Sequence, residues 1–306
     1  MTFSAWLLVV QPSQAGELRL VEELGPRGRR NALIGTTVAT AVVLGAVVWL
    51  VLRFQSKGQF APELWRPFRF WGTWRYLLLG LVNTLKVAVI SLTLSLVIGV
   101  AMALLRSGPN RVARVVSTIY VEAFRACALV LLITFFFFQL SHWVKGWSLD
   151  TYAMVAAIIG LTLYYSTVFA EVVRSGIRSI PAGQREAGMS IGLSEGRALR
   201  LIVAPQALRR ALPNLVTQAA SLTKDTSLAY LVTYTELLYR ADIAGSFSEN
   251  RLQTLIVAGL IYIAVIALMT TAANRLHRTQ RRAPRFAVAT PAQPGIVDPI
   301  LAVPTP

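Results

Sequence analysis

The sequence predicts an all-α integral membrane protein with six membrane-spanning helices. Three observations carry that reading. Hydrophobic residues make up 55% of the 306 residues and charged residues only 14%, with a mean hydropathy of +0.57. The apolar residues fall into runs of roughly 18 or more with almost no charge, long enough to cross a hydrocarbon core as helices. The loops between these runs are alternately rich and poor in arginine. The formal net charge of +16 therefore marks the cytoplasmic side of a membrane protein and not a nucleic-acid binder, and anionic headgroups neutralise much of it.

The first span is 32–52, uncharged and preceded by Arg27, Arg29 and Arg30, so it runs from the cytoplasm outward. Residues 1–31 read as a cytoplasmic tail, because the apolar stretch 5–10 is too short for a signal-peptide core and has no basic residue ahead of it. Segment 53–75 mixes Arg53, Lys57, Arg66, Arg69 and Arg75 with Trp65, Phe68, Phe70, Trp71 and Trp74. That is the chemistry of an amphipathic stretch lying in the outer interface. The second span, 80–105, ends at Arg106, and Arg111 and Arg114 mark an inside loop. The third, 115–140, is expected as one continuous helix, with Glu122 and Arg125 three apart on one face and able to pair. The fourth is 152–170, the fifth 212–238 and the sixth 252–273. This alternation puts 19 of the 30 Lys and Arg residues inside and 8 outside, with both termini cytoplasmic. Residues 276–306 read as a basic and then Pro- and Ala-rich disordered tail. A single cysteine, Cys127, excludes an intrachain disulfide.

Between the fourth and fifth spans lies a polar, basic loop at about 174–211. Pro181 suits an early helical position, 182–191 make about two and a half turns, and Gly192 stands where a helix end favours a left-handed residue. Ser194 is a good N-cap for a second short helix, with Glu195 beside its positive end. Pro205 is expected to end that helix and Pro213 to open the next segment. A compact two-helix projection between two spans is a knob for another protein to grip.

The residues of this loop carry a resemblance. Glu186-Ala187-Gly188, then Gly192, and later Ile202-x-Ala204-Pro205 resemble the EAA loop of permease subunits of binding-protein-dependent ABC importers. Ala170-Glu171, Arg174-Ser175-Gly176-Ile177, Gly183-Gln184, Pro205-Gln206-Ala207, Leu212-Pro213 and Lys224-Asp225-Thr226-Ser227-Leu228 are similar to the polar amino acid branch. Trp74-Arg75-Tyr76 and Gly80-Leu81-x-x-Thr84-Leu85-Lys86 are similar to its glutamate-type permeases. The resemblance implies a five-helix permease core at 76–275, with 32–52 as an additional N-terminal helix, in the bacterial plasma membrane. It implies that Glu186, Ala187, Gly188 and Gly192 dock in a groove of a separate ATPase dimer, which binds ATP and Mg. Further implied partners are an extracytoplasmic solute-binding protein, a second permease subunit of the same or a related chain, and membrane lipid. The family usually has a second alanine where this chain has Gly188, and glycine should loosen that helix by up to ~1 kcal/mol. No Gly-Lys-Ser/Thr run occurs, so the chain itself is not expected to bind ATP or to act as an enzyme.

Other candidates lie in the spans. Lys224 falls roughly 16 Å along a helix counted from Pro213, near mid-bilayer, where a charge is costly and marks either function or an ion pair inside the bundle. Asp225 is its neighbour in sequence, expected on a different face and so unable to neutralise it across the helix axis. Arg125 stands in Phe124-Arg125-Ala126-Cys127-Ala128, where amino acid permeases of this kind typically read Arg-x-x-Pro; with Ala128 in place of the proline, a straighter helix is expected. Tyr164 and Tyr165 can line a pathway or simply satisfy buried hydroxyls. Two other readings fit parts of the chain. An ion-coupled secondary transporter or channel would use Lys224 and Asp225, and a degenerate, non-transporting adaptor would account for the missing proline.

Overall fold

The computed structural model describes residues 26–281; most of both expected tails lies outside the described residues. Every regular element among them is helical: α1 (Pro26–Ser56), α2 (Trp71–Ser107), α3 (Arg111–Ala126), α4 (Leu129–Trp143), α5 (Leu149–Arg178), α6 (Ala182–Ser190), α7 (Glu195–Ala198), α8 (Ala204–Asp225), α9 (Leu237–Phe247) and α10 (Arg251–Arg281). Two 3-10 helices, Pro62–Arg69 and Thr226–Val232, and a π-helical turn, Leu199–Val203, complete the set. Four helices are long and apolar enough to cross a membrane, those containing Leu33–Ser56, Trp71–Ser107, Leu149–Arg178 and Arg251–Thr271, and the bent pair α3–α4 makes a fifth if counted as one span. The fifth expected span is not among them. Its first half is α8, which carries Arg209, Arg210, Lys224 and Asp225, and it passes into the 3-10 helix well before 238.

The chain divides into two units. The larger comprises Tyr76–Ala241 and the chain from Ile256 onward, and α5 is its centre. Its buried face repeats every three or four residues through Ala153, Ala156, Ala157, Leu161, Tyr165, Phe169 and Val173, the spacing of one helical stripe. Small residues let its neighbours approach at backbone distance. A Cβ on Gly99 of α2 would lie 2.8 Å from the Ser166 carbonyl, one on Gly160 would lie 2.7 Å from Cγ1 of Ile133 in α4, and one on Gly176 would lie 2.8 Å from the Ala207 carbonyl in α8.

The third expected span is corrected. In place of one straight helix, α3 and α4 meet at 96°. Cys127 and Ala128 are extended, with ψ of 136° and 133°, so the helix breaks at this point without a proline. Tertiary anchoring explains the bend. Tyr120 of α3 bonds Ser166 of α5 at 2.8 Å, while Ile133 of α4 seats on Gly160. A straight helix would separate those two anchors by about 20 Å, but their partners on α5 are only about 9 Å apart along its axis.

The loop is corrected too. Pro205 does not end a helix, because α7 runs through the π turn into α8, and Pro213 lies inside α8. Proline lacks an N–H and crowds the preceding turn. The wide turn relieves that crowding: the N–H of Ala204, just before Pro205, reaches back five residues to the Leu199 carbonyl.

The second unit comprises Met1–Arg75 and Asp242–Leu255. Within it the described part of α1 buries no side chain. The aromatic segment at Pro62–Arg69 is held by Asn250, whose Nδ2 donates to the Leu64 carbonyl at 2.8 Å, and Trp74 donates to the Phe68 carbonyl at 2.8 Å.

Candidate functional site

Residues 179–210 form a projection built on a small apolar base. Ile180, Leu199, Val203 and Ala207 are buried together, with Leu104 and Ile177 packed against them. On this base α6 and α7 make a hairpin. Gly192 turns the chain with φ +88°, which costs a glycine nothing. The Leu193 N–H then returns to the Gly188 carbonyl at 3.2 Å and the Gly192 N–H to Met189 at 3.0 Å, closing the end of α6. Arg185 and Glu195 pair across the hairpin, and Arg210 donates to the Ser179 carbonyl at its foot.

Gly188 is the one buried residue of α6. A Cβ there would meet Cδ1 of Ile202 at 2.7 Å and Cβ of Ala198 at 3.2 Å, so glycine sets how closely α6 lies on its neighbours. Glu186 and Ala187 are exposed, and the Glu186 carboxylate makes no hydrogen bond or ion pair among the described residues. On the same hairpin Met189 and Ile191, the latter 77% exposed, leave apolar side chains uncovered. The projection thus presents a free carboxylate and uncovered apolar side chains on a braced hairpin, features that suit a contact with another protein.

Deeper in the larger unit, the structure joins residues that the sequence leaves separate. Tyr165, only 2% exposed, donates to Oδ2 of Asp225 at 2.7 Å, and Tyr164 packs on Tyr165 with ring centroids 5.4 Å apart. Lys224 and Asp225 do pair, at 3.7 Å, against the expectation from helical spacing. The reason is local: α8 ends at Asp225 and the tighter 3-10 helix begins, where a long lysine stem can fold toward its neighbour. The Lys224 side chain remains 65% exposed. Arg125 stands apart, exposed and without an ion pair among the described residues. Its expected partner Glu122 is taken by Arg106 at 2.9 Å, which also pairs with Glu171 and so ties α2, α3 and α5.

Two acidic groups, Glu236 buried and Asp150 half-buried, escaped the sequence reading. Glu236 is fully buried; its carboxylate accepts from the Tyr262 hydroxyl at 2.6 Å and from the Tyr239 N–H at 2.7 Å, capping α9. Thr84 joins them, accepting from the Leu237 N–H at 3.1 Å. Asp150 accepts from the Thr235 N–H and hydroxyl at 2.9 and 2.8 Å, just after Thr233 turns the chain with φ 61°. An acid at 236 inside an apolar stretch was a visible signal. Its partners, 152 residues upstream at Thr84 and 26 downstream at Tyr262, were not.

The comparisons with known proteins agree with this architecture. Residues 95–282 match the family model of the binding-protein-dependent transport system inner membrane component. The chain is 37% identical over 243 residues to the glutamate transport system permease protein GluD of Corynebacterium glutamicum, covering 78% of this chain and 89% of that one. It is 40% identical over 204 residues to the probable glutamine ABC transporter permease protein GlnP of Bacillus subtilis, covering 66% and 92%. In fold it is similar to the crystal structure of an amino acid ABC transporter with histidines, with TM-score 0.60 at 23% identity over 67% of this chain and 94% of that one. The EAA-like loop, the helical core around α5 and these likenesses coincide, and the chain belongs to the family of binding-protein-dependent inner membrane transport components, on its amino acid permease branch.

Proposed function

We propose that this chain forms the membrane passage of an ABC importer for a polar amino acid, glutamate or a close relative, and works by alternating access. The observation that carries the reading is the braced hairpin with Glu186 free at its surface. A separate ATPase dimer, holding ATP and Mg, grips Glu186 and Ala187, while Gly188 and Gly192 shape the hairpin behind them. ATP-driven closure of that dimer pulls the hairpin, and with it α8 and α5, toward the outward-facing state. A loaded extracytoplasmic binding protein favours the same state; only such differential affinity can shift the equilibrium. A second permease subunit completes the passage. Both termini and the projection face the cytoplasm, and 32–52 is a helix added ahead of the core at 76–275. Glutamate is supported by GluD, and by relatives named for glutamate/aspartate import in Escherichia coli.

The experiment is co-purification of the chain with candidate ATPase subunits, comparing wild type with Glu186→Arg, followed by uptake of labelled glutamate against competing amino acids. Association lost on substitution, with uptake lost in parallel, is the expected result. Retention of the ATPase by Glu186→Arg would remove the docking role. Ion-driven flux without any ATPase would move the mechanism to Lys224 and Asp225.

A further inference from the structure

Behind the projection is a cleft of about 320 Å³ between the end of α2, the end of α5 and the start of α6, lined by Arg106, Arg174, Arg178 and Arg185 together with Pro181 and Ala182. Its charges are only partly internal. Arg106 is held by Glu122 and Glu171, and Arg185 by Glu195. Arg174 is half-buried and Arg178 exposed; both lack hydrogen bonds and ion pairs among the described residues, although Arg106 and Arg178, and on the other side Glu171 and Glu122, lie close enough to bear on Arg174. The Nε of Arg185 is out of solvent with no acceptor. The N-terminus of α6 opens on the same cleft at Pro181 and Ala182, and no side chain caps it. Two guanidinia without ion pairs and an uncapped helix N-terminus therefore face one space, and all of them favour negative charge.

We propose that this cleft is a binding site for a phosphate group, carried either by an anionic phospholipid headgroup or by a free soluble phosphate. Arginine forks match phosphate oxygens in pairs, the volume admits a phosphate with part of its ester, and the apolar side of the lining at Ile177, Ile180, Leu199 and Val203 suits the glycerol end of a lipid. The inference is independent of the docking role of Glu186, since the Arg174 and Arg178 side chains belong to α5 and not to the hairpin. Occupation would brace α5 against α6, so the ligand would set how rigidly the projection is carried.

The test uses the full chain in nanodiscs of phosphatidylcholine, with or without phosphatidylglycerol, and in detergent with inorganic phosphate or chloride at matched ionic strength. Thermal stability and retained lipid are read for wild type, the Arg174→Gln/Arg178→Gln pair, each of its two single variants, and Arg209→Gln as a control that removes one charge at an exposed position off the cleft. Because each lost charge-assisted contact is worth roughly a tenfold factor, the pair should weaken binding by tenfold or more, and Arg209→Gln should not. Selective stabilisation and retention of phosphatidylglycerol identifies a lipid site. Stabilisation by inorganic phosphate alone identifies a soluble ligand. No response in either arm, or an equal response in the cleft pair and wild type, overturns the site. A cleft pair that is folded and as active as wild type in phosphatidylcholine, yet blind to phosphatidylglycerol and phosphate, would separate this inference from any failure of the transport reading.

Discussion

Two glycines of the larger unit, Gly176 and Gly188, invite the same substitution with different outcomes. Alanine in place of either gains about 0.5–1 kcal/mol of helix propensity. At Gly176 the new Cβ would sit 2.8 Å from the Ala207 carbonyl and 3.1 Å from Cβ of Ala211, about 0.6 Å and 0.3 Å short of ordinary contact. Both obstacles belong to the backbone or the first atom of α8, so relief requires moving α8 away from α5. Overpacking against backbone sits at the upper end of a cost of about 1–3 kcal/mol, which leaves Gly176→Ala destabilised by up to about 2.5 kcal/mol. At Gly188 the nearer obstacle is Cδ1 of Ile202, the far end of a half-buried flexible side chain, and the other, Cβ of Ala198, is only about 0.2 Å too close. A rotamer change in Ile202 relieves most of it, so Gly188→Ala should be neutral within about 1 kcal/mol, and Gly188→Ala with Ile202→Val should be stabilised. Thermal unfolding of the three purified variants, with binding of the ATPase as a second readout, checks this. Equal losses at both glycines, or a harmless Gly176→Ala, would refute the idea that the identity of the opposing atom decides the cost.

The remaining predictions concern polar contacts. A double-mutant cycle on Tyr165→Phe and Asp225→Asn should give a coupling energy of about 1.5–3 kcal/mol, as for a hydrogen bond to a charged group; additive effects in unfolding would show that the 2.7 Å contact contributes nothing. Glu236→Leu leaves the Tyr262 hydroxyl and the Tyr239 N–H without their acceptor and, at about 1–3 kcal/mol for each unmet buried donor, should cost about 2–6 kcal/mol. Glu236→Gln keeps one acceptor and should fall between that variant and wild type, an order read from melting temperature and undone if both variants are equally stable. Arg106→Gln leaves the Glu122 and Glu171 carboxylates without their shared cation and should loosen α3 more than α4; hydrogen exchange confined to α3 near Glu122 is the expected signature, and uniform protection speaks against the network. Ala128→Pro should be nearly silent in stability, because Cys127 is already extended, as the residue before a proline prefers; a large loss would mean that the helix needs the Ala128 N–H.

Much of the molecule was legible in the residues alone. Apolar runs and arginine placement identified the class, because a bilayer imposes one length scale and one charge asymmetry on any chain that crosses it. The hairpin was legible for a local reason: Gly192 turns the chain within a few residues of itself, so its sequence neighbours suffice, while Ser194 stands at the head of α7 without the expected side-chain cap bond. The break at Cys127 was not, since alanine and cysteine carry no bias toward it and the cause is where Tyr120 and Ile133 must land on α5. Nor was the passage through Pro205, where a π turn absorbed what a proline usually forbids. The ion pairs failed for the same reason. Helical spacing offered Arg125 to Glu122, but Arg106 arrives from another helix and takes both Glu122 and Glu171. Glu236 could be flagged as a charge in an apolar stretch, yet what satisfies it comes from Thr84 and Tyr262, which only the packing of α2 and α10 brings to it. Sequence by itself determined the medium, the helical class and the turn of the hairpin, because those follow from short-range chemistry. Tertiary structure decided the bends and the partners of every buried charge, because those depend on atoms far away along the chain.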